Sequence, residues 1–272
     1  MLSLVTGATS GIGREYARAL ALRGHDIVIA GRREDLLSAF AREIEAQCSV
    51  SVRVISGDLS DSRTERQLIT TLQGSPISFL VNNAGFGFSS DFHRADPNLV
   101  ERMLSVHNTV PLRLILAALP GMISAGCGTV INVGSLAGRV AVPGSSVYVA
   151  TKSFLERFSE SLALELANDG IVVQALLPGY VRTDFHRDVP DFRKKQRNRG
   201  MIRWLASEEV VRQSLRAVDR GHRRWKQNTR ALPRYRDVVV IPGVANRTLA
   251  LLGGLVPHRL IYRAASKRPQ LR

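Results

Sequence analysis

The chain has 272 residues, enough for one large domain or two small ones and for a sizeable core. Hydrophobic residues make up 44% and charged residues 22%, which excludes an intrinsically disordered chain. The net charge is +15, but residues 1–181 hold 15 Lys and Arg against 16 Asp and Glu, whereas residues 182–272 hold 23 against 7.

A short apolar run at 2–5 opens the chain, with no basic segment or cleavage site before it, so no secretory leader is expected. Gly7, Gly11 and Gly13 follow in "TGATSGIGRE", between this first strand and a helix-like stretch. Such a turn lets backbone N–H groups approach a pyrophosphate seated on a helix N-terminus. Gly7 permits the tight turn, and Gly11 and Gly13 allow close approach by a ligand and by the sheet. The alternative is a glycine loop used only for packing. No Gly-Lys-Ser/Thr follows, which argues against a nucleotide-hydrolysing P-loop.

The second strand, 26–30, ends in Gly31, Arg32 and Arg33. NAD-specific sites usually place a carboxylate there for the ribose hydroxyls. Here no acid repels a 2′-phosphate and two guanidiniums can clamp it, with Arg14 as a third positive charge, so NADP(H) is favoured over NAD(H). The bland alternative is a pair of solvated residues at a helix start. A third strand at 51–56 leads to Asp58, a candidate helix N-cap with Ser60 as competitor.

Further strand-like runs lie at 78–83, 128–133, 171–177 and 237–241. All seven are rich in Val and Ile and continuously apolar, as strands buried on both faces are. Helix-like stretches between them predict a single-domain α/β fold, a parallel seven-stranded sheet with helices on both sides. Between the fifth and sixth runs stand Ser135 and then Tyr148 and Lys152, spaced i and i+4 so that they share one helix face. Only five of the 38 basic residues are lysine, so Lys152 asks for a reason. No segment approaches the roughly 20 apolar residues of a membrane-spanning helix, the longest candidate being 248–256. Cys48 and Cys127 lack metal-like spacing and a disulfide framework, and the six histidines do not cluster. A reducing cytoplasmic location and no metal site are expected.

Taken in order, "TGATSGIG" (6–13), "NNAG" (82–85), Asn108 in "SVHNTVP", Ser135 in "NVGSLAG", "YVATK" (148–152) and "PGYVRT" (178–183) resemble the non-extended branch of the short-chain dehydrogenase/reductase family over roughly residues 1–243. "SLAGRVAVPGSSVYVATK" and "VVVIPG" are also similar to bacterial reductases related to hydroxysteroid and long-chain ketoacyl reductases. The resemblance implies a doubly wound, Rossmann-type sheet and a carbonyl reductase or alcohol dehydrogenase. It implies Tyr148 as general acid and base, Ser135 holding the substrate oxygen, and Asn108 ordering a water that links Lys152 to solvent. Lys152 would donate to the nicotinamide ribose hydroxyls, which suits a compact ammonium. That ammonium and an oxidised nicotinamide would pull the phenol down from its usual value near 10.

The cofactor-binding set implied in this way is Gly7, Thr9, Ser10, Gly11, Ile12, Gly13, Arg32, Arg33, Asp58 (against the adenine), Leu59, Asn83, Ala84, Gly85, Tyr148, Lys152, Pro178, Gly179, Val181 and Thr183. Substrate choice would lie in Phe86 and Phe88, in 136–144, and in a lid at about 184–206. These segments suit a bulky apolar ketone, acyl or steroid-like substrate better than a sugar. A homo-oligomer, dimer or tetramer, is expected. A cofactor-binding regulator without turnover is the alternative, and intact Ser135, Tyr148 and Lys152 argue against it. The extension 244–272 alternates apolar and basic residues. It could lie weakly on an anionic membrane or an acyl carrier, or pack over the pocket or a dimer contact. No nucleic-acid reader motif accompanies the charge, so no nucleic-acid partner is expected.

Overall fold

In the computed structural model, which describes residues 1–186, 198, 203–228, 232–255 and 259, the strands form one parallel sheet. They are β1 (Leu2–Thr6), β2 (Asp26–Gly31), β3 (Val52–Ser56), β4 (Ile77–Asn82), β5 (Gly128–Val133), β6 (Ile171–Leu176) and β7 (Val239–Val240), in spatial order β3-β2-β1-β4-β5-β6-β7. The chain winds outward from β1 to β3, then returns to place β4 on the other side of β1. That reversal opens a crevice at the carboxyl ends of β1 and β4, where open α/β sheets take their ligands.

Continuous apolarity has a direct structural cause. Successive strand residues point to opposite faces, and both faces are covered. Val28 and Ala30 enter one core layer, under α3 (Ser62–Gly74), α5 (Val110–Ala125) and α6 (Ser146–Glu165). Ile27 and Ile29 enter the other, under α1 (Gly11–Ala21), α2 (Glu34–Gln47) and α7 (Ser207–Gln227). A short α4 (Pro97–Leu104) and a π turn (Ser105–Thr109) run into α5, and α8 (Val244–Leu255) closes the described chain. Polar side chains fix α6 against the sheet. Asn82 Nδ2 donates to Asn132 Oδ1 at 2.9 Å, and Asn132 Nδ2 donates to Ser159 Oγ at 2.9 Å.

Three expectations are corrected. The seventh strand is only Val239–Val240. Asp237 and Val238 finish a helical turn, Tyr235–Val238, because Asp237 N bonds Arg234 O and its carboxylate is taken by Arg220 Nε at 2.9 Å. Helix α3 is capped by Asp61, which accepts from Arg63 N, and not by Asp58 or Ser60. The helical run Pro97–Ala125 is long and apolar enough to cross a membrane by length and composition. Val110, Leu114, Ala118 and Met122 of this run are buried in the core, while Leu116 and Ile123 are exposed.

Candidate active site

The turn after β1 is built by close backbone approach. Gly7 has φ +68°, and a Cβ there would meet Ala84 Cα at 2.8 Å. Gly13 faces Gly7 O and Asn83 Nδ2, where a Cβ would lie 2.4 and 2.3 Å away. Asn83 stitches the two strand ends together, its Nδ2 donating to Thr6 O and Gly7 O at 3.0 and 3.1 Å. Arg33 Nη2 reaches across the turn to Thr9 Oγ1 at 2.7 Å.

A cavity of about 1180 Å³ opens over these strand ends. It is lined by Gly7, Thr9, Ser10, Ile12, Arg32, Arg33, Asp58, Leu59, Asn83, Ala84, Gly85, Pro178, Gly179, Val181 and Thr183, and also by Ser135, Tyr148 and Lys152. Ser135 is extended at φ −164°; it follows β5 and caps the short turn Leu136–Arg139, its Oγ accepting from Ala137 N at 3.1 Å. Gly138 lets that turn press on α6, since a Cβ would sit 2.8 Å from Ser153 N. Tyr148 and Lys152 project from the first turns of α6. Lys152 Nζ donates to Val133 O at 2.9 Å and lies 5.9 Å from the Tyr148 ring centroid.

Burial lowers the Lys152 ammonium to about 8. For Tyr148, burial pushes the phenol above its ordinary value, and the Ser135 hydroxyl only partly opposes it. The expected pull toward neutrality needs both the Lys152 ammonium and an oxidised nicotinamide; the protein groups alone leave the phenol above its ordinary value. Lys152 also has a consequence for stability. Between about pH 8 and the unfolded value near 10.4 the unfolded chain binds more protons than the folded one, so this group makes stability rise with pH there and adds no slope below it. Urea unfolding from pH 7 to 10.5 should show Lys152→Met gaining most over the wild type below pH 8, with the gap closing as pH rises. Parallel pH slopes would reject the depressed ammonium.

The sequence profile of the short chain dehydrogenase family matches residues 2–194. The chain belongs to that family. Among curated short-chain dehydrogenase relatives, the very-long-chain 3-oxoacyl-CoA reductase of Bos taurus is 33% identical over 185 residues, covering 66% of this chain and 59% of that protein. Its counterpart in Anas platyrhynchos is 34% identical over 198 residues, covering 71% and 64%. The matched stretch thus spans about three fifths of those relatives' length. Among solved structures, a short-chain dehydrogenase from Sphingobium yanoikuyae in complex with NADPH is 30% identical, with a TM-score of 0.76 and coverage of 100% and 97%. A bulky-bulky ketone specific alcohol dehydrogenase from Comamonas testosteroni is 29% identical, with a TM-score of 0.74 and coverage of 100% and 96%.

Within this short-chain dehydrogenase site several residues sit differently from expectation. Gly11 and Gly13 do not line the cavity. Gly13 abuts the β1 turn, the close approach by the sheet that was expected, and a Cβ on Gly11 would meet Thr183 Cγ2 at 2.6 Å. Arg14 is drawn away from the cavity to Glu43 at 2.5 Å and lies over the Phe40 ring. Asp58 lines the cavity, but its carboxylate already holds Ser60 N at 2.9 Å and pairs with Arg102. Burial raises the Asp58 carboxyl, and Ser60 and Arg102 outweigh that, leaving it below the usual range. Asn108 does not line the cavity; its Nδ2 donates to Thr151 O at 3.1 Å. Its neighbour His107 packs against Tyr148, with ring centroids 5.9 Å apart.

Phe86, 136–142 and Phe185 reach the cavity as anticipated for substrate segments, but Phe88 does not. Residues 187–197 and 199–202 of the anticipated lid, and most of 256–272, lie outside the described residues. The described part of the extension packs over the pocket: Asn246, Leu249 and Ala250 of α8 line it. Sequence reasoning also missed Arg102 and Tyr235. Nothing in their local sequence marks them, because each meets its partners across 44 and 96 residues of chain, at Asp58 and Arg139.

Proposed function

We propose that the protein is an NADP(H)-dependent oxidoreductase that interconverts a ketone and a secondary alcohol on a bulky apolar substrate. The observation that carries this is the shared cavity: Ser135, Tyr148 and Lys152 line the same space as Arg32 and Arg33. The relatives named as 3-oxoacyl-CoA reductases and the neighbour solved with NADPH support the reading.

The residues present fit a phosphorylated dinucleotide. Position 31 is glycine, and a Cβ there would approach Thr9 Cγ2 at 3.2 Å, which leaves little room for an acid. Neither Arg32 nor Arg33 forms an ion pair among the described residues, so both remain able to meet a phosphate. Asp58, the acid at this end, is neutralised by Arg102. When bound, the nicotinamide would supply or accept the hydride. Lys152 would hold ribose hydroxyls, and Ser135 would fix the substrate oxygen near Tyr148. Tyr148, kept protonated by burial, would donate its phenol proton to that oxygen as negative charge develops there, and take it back in the alcohol direction.

The substrate side is apolar. Val140, Val142, Phe185, Leu249 and Ala250 line it, and its Arg139–Glu156 pair is internally neutralised, with Arg139 Nη2 also donating to Tyr235 OH at 2.7 Å. The test of function is NADPH oxidation against a panel of ketones of increasing bulk. Absence of turnover across the panel, with NADPH still bound, would favour the regulator reading. Ala250→Trp should lower kcat/KM for the bulkiest productive ketone by about tenfold or more and spare a small one, as expected when a pocket loses apolar volume. Equal effects on both would remove α8 from substrate recognition.

A further inference from the structure

His107 is 1% exposed, and both of its ring nitrogens are hydrogen-bonded. Its Nε2 accepts from Phe86 N at 3.0 Å, so the ring proton of the neutral imidazole belongs on Nδ1. Nδ1 lies 2.9 Å from Thr151 Oγ1 and donates to it, and Thr151 Oγ1 donates onward to Tyr148 O at 2.8 Å. One orientation and one tautomer therefore satisfy every bond. Burial and the Lys152 charge push the imidazolium down to about 2, so the ring stays neutral wherever the protein is folded. The same ring packs edge-on to Phe86 and to Tyr148, with centroids at 5.6 and 5.9 Å. A Cβ on Gly85 would meet His107 Nε2 at 2.9 Å and Lys152 Nζ at 3.6 Å, so the imidazole and the ammonium flank one point of backbone.

The local sequence explains why residue 107 faces this way. Pro111 has no N–H to give the carbonyl four residues earlier, and its ring crowds that carbonyl. The helix widens into the π turn Ser105–Thr109 at that point. Both residues at its centre then grip the same turn of α6, His107 through Thr151 Oγ1 and Asn108 through Thr151 O.

We propose that His107 is a positioning residue for Tyr148 and Lys152: a neutral imidazole that ties the backbone after β4, at Phe86, to the turn of α6 that carries both. It acts through those two side chains and moves no proton itself. Its effect on turnover presupposes the ketone chemistry proposed above, and Tyr148→Phe separates the two ideas.

The experiment compares wild type, His107→Leu, His107→Asn and Thr151→Val for kcat, KM and NADPH affinity. His107→Leu should lower kcat by about ten- to a hundredfold, the scale of a small misplacement of reacting groups. KM for the ketone should stay within about threefold, and NADPH affinity should fall by much less than kcat, since Lys152, which would hold ribose hydroxyls, is one of the two groups displaced. His107→Asn keeps an acceptor for Phe86 N and should recover about fivefold or more of the lost kcat. Thr151→Val keeps the shape but breaks the Nδ1 bond, and should lower kcat about three- to tenfold. A folded His107→Leu with kcat near wild type overturns the proposal, as does a kcat loss matched by an equal loss of NADPH affinity. If His107→Leu does not fold, Thr151→Val decides, and near-native kcat there overturns it. Turnover absent in the wild type across the ketone panel would remove the ketone chemistry itself, and turnover surviving in Tyr148→Phe would remove its acid–base role; turnover lost in Tyr148→Phe but intact in the His107 and Thr151 variants would remove only the role of His107.

Discussion

Tyr148→Phe should lower turnover by more than about a hundredfold, the usual scale for losing a positioned general acid, while fold and NADPH binding persist. The substitution removes one oxygen atom and keeps the ring. The ring's packing against His107 and Phe185, with centroids at 5.9 and 6.2 Å, is therefore preserved. Ser135 still caps its own turn through Ala137 N, so its hydroxyl stays in place. What goes is the phenol proton, and two neighbouring groups are poorly placed to replace it. Lys152 is engaged with Val133 O, and His107 carries its proton on the nitrogen facing Thr151. Steady-state kinetics with the best ketone of the panel, alongside NADPH titration and circular dichroism, make the comparison. Near-native turnover in the variant would end the acid–base assignment.

Arg32→Ala combined with Arg33→Ala should erase or reverse the preference for NADPH. Each charge-assisted bond from a guanidinium to a phosphate contributes about 1.5–3 kcal/mol, or roughly ten- to a hundredfold in affinity. NADH lacks the 2′-phosphate, so its binding should fall less than that of NADPH. Arg33 has a second attachment, to Thr9 Oγ1 and Ser10 Oγ, and losing it loosens the turn that would meet the pyrophosphate. Arg32 makes no such bond among the described residues and is exposed. The single variants should therefore differ: Arg32→Ala should reduce NADPH affinity alone, and Arg33→Ala should weaken both dinucleotides. Tighter NADH binding by the wild type would reject the preference outright.

The sequence by itself determined the strand–helix alternation and the parallel sheet, because two-faced burial writes itself into each short run as unbroken Val and Ile. It marked Ser135, Tyr148 and Lys152 equally as one candidate set, since i and i+4 spacing is a property of any helix and the accompanying motifs are local. The tertiary structure decided what local chemistry leaves open. Arg14 is captured by Glu43, and Asp58 by Arg102, because helices distant in sequence deliver those partners. The phenol of Tyr148 is pushed above its ordinary value by burial among residues brought together from separate parts of the chain. Helix α8 comes to line the pocket although its own alternation of apolar and basic residues fits a surface helix as well. At the helix beside Lys152 the difference is a single residue. Asn108 is the residue the motif singles out, yet the widened turn before Pro111 presents His107 to Tyr148, because a π turn changes which side chain faces inward, and the partners that lock that ring lie 21 and 44 residues away.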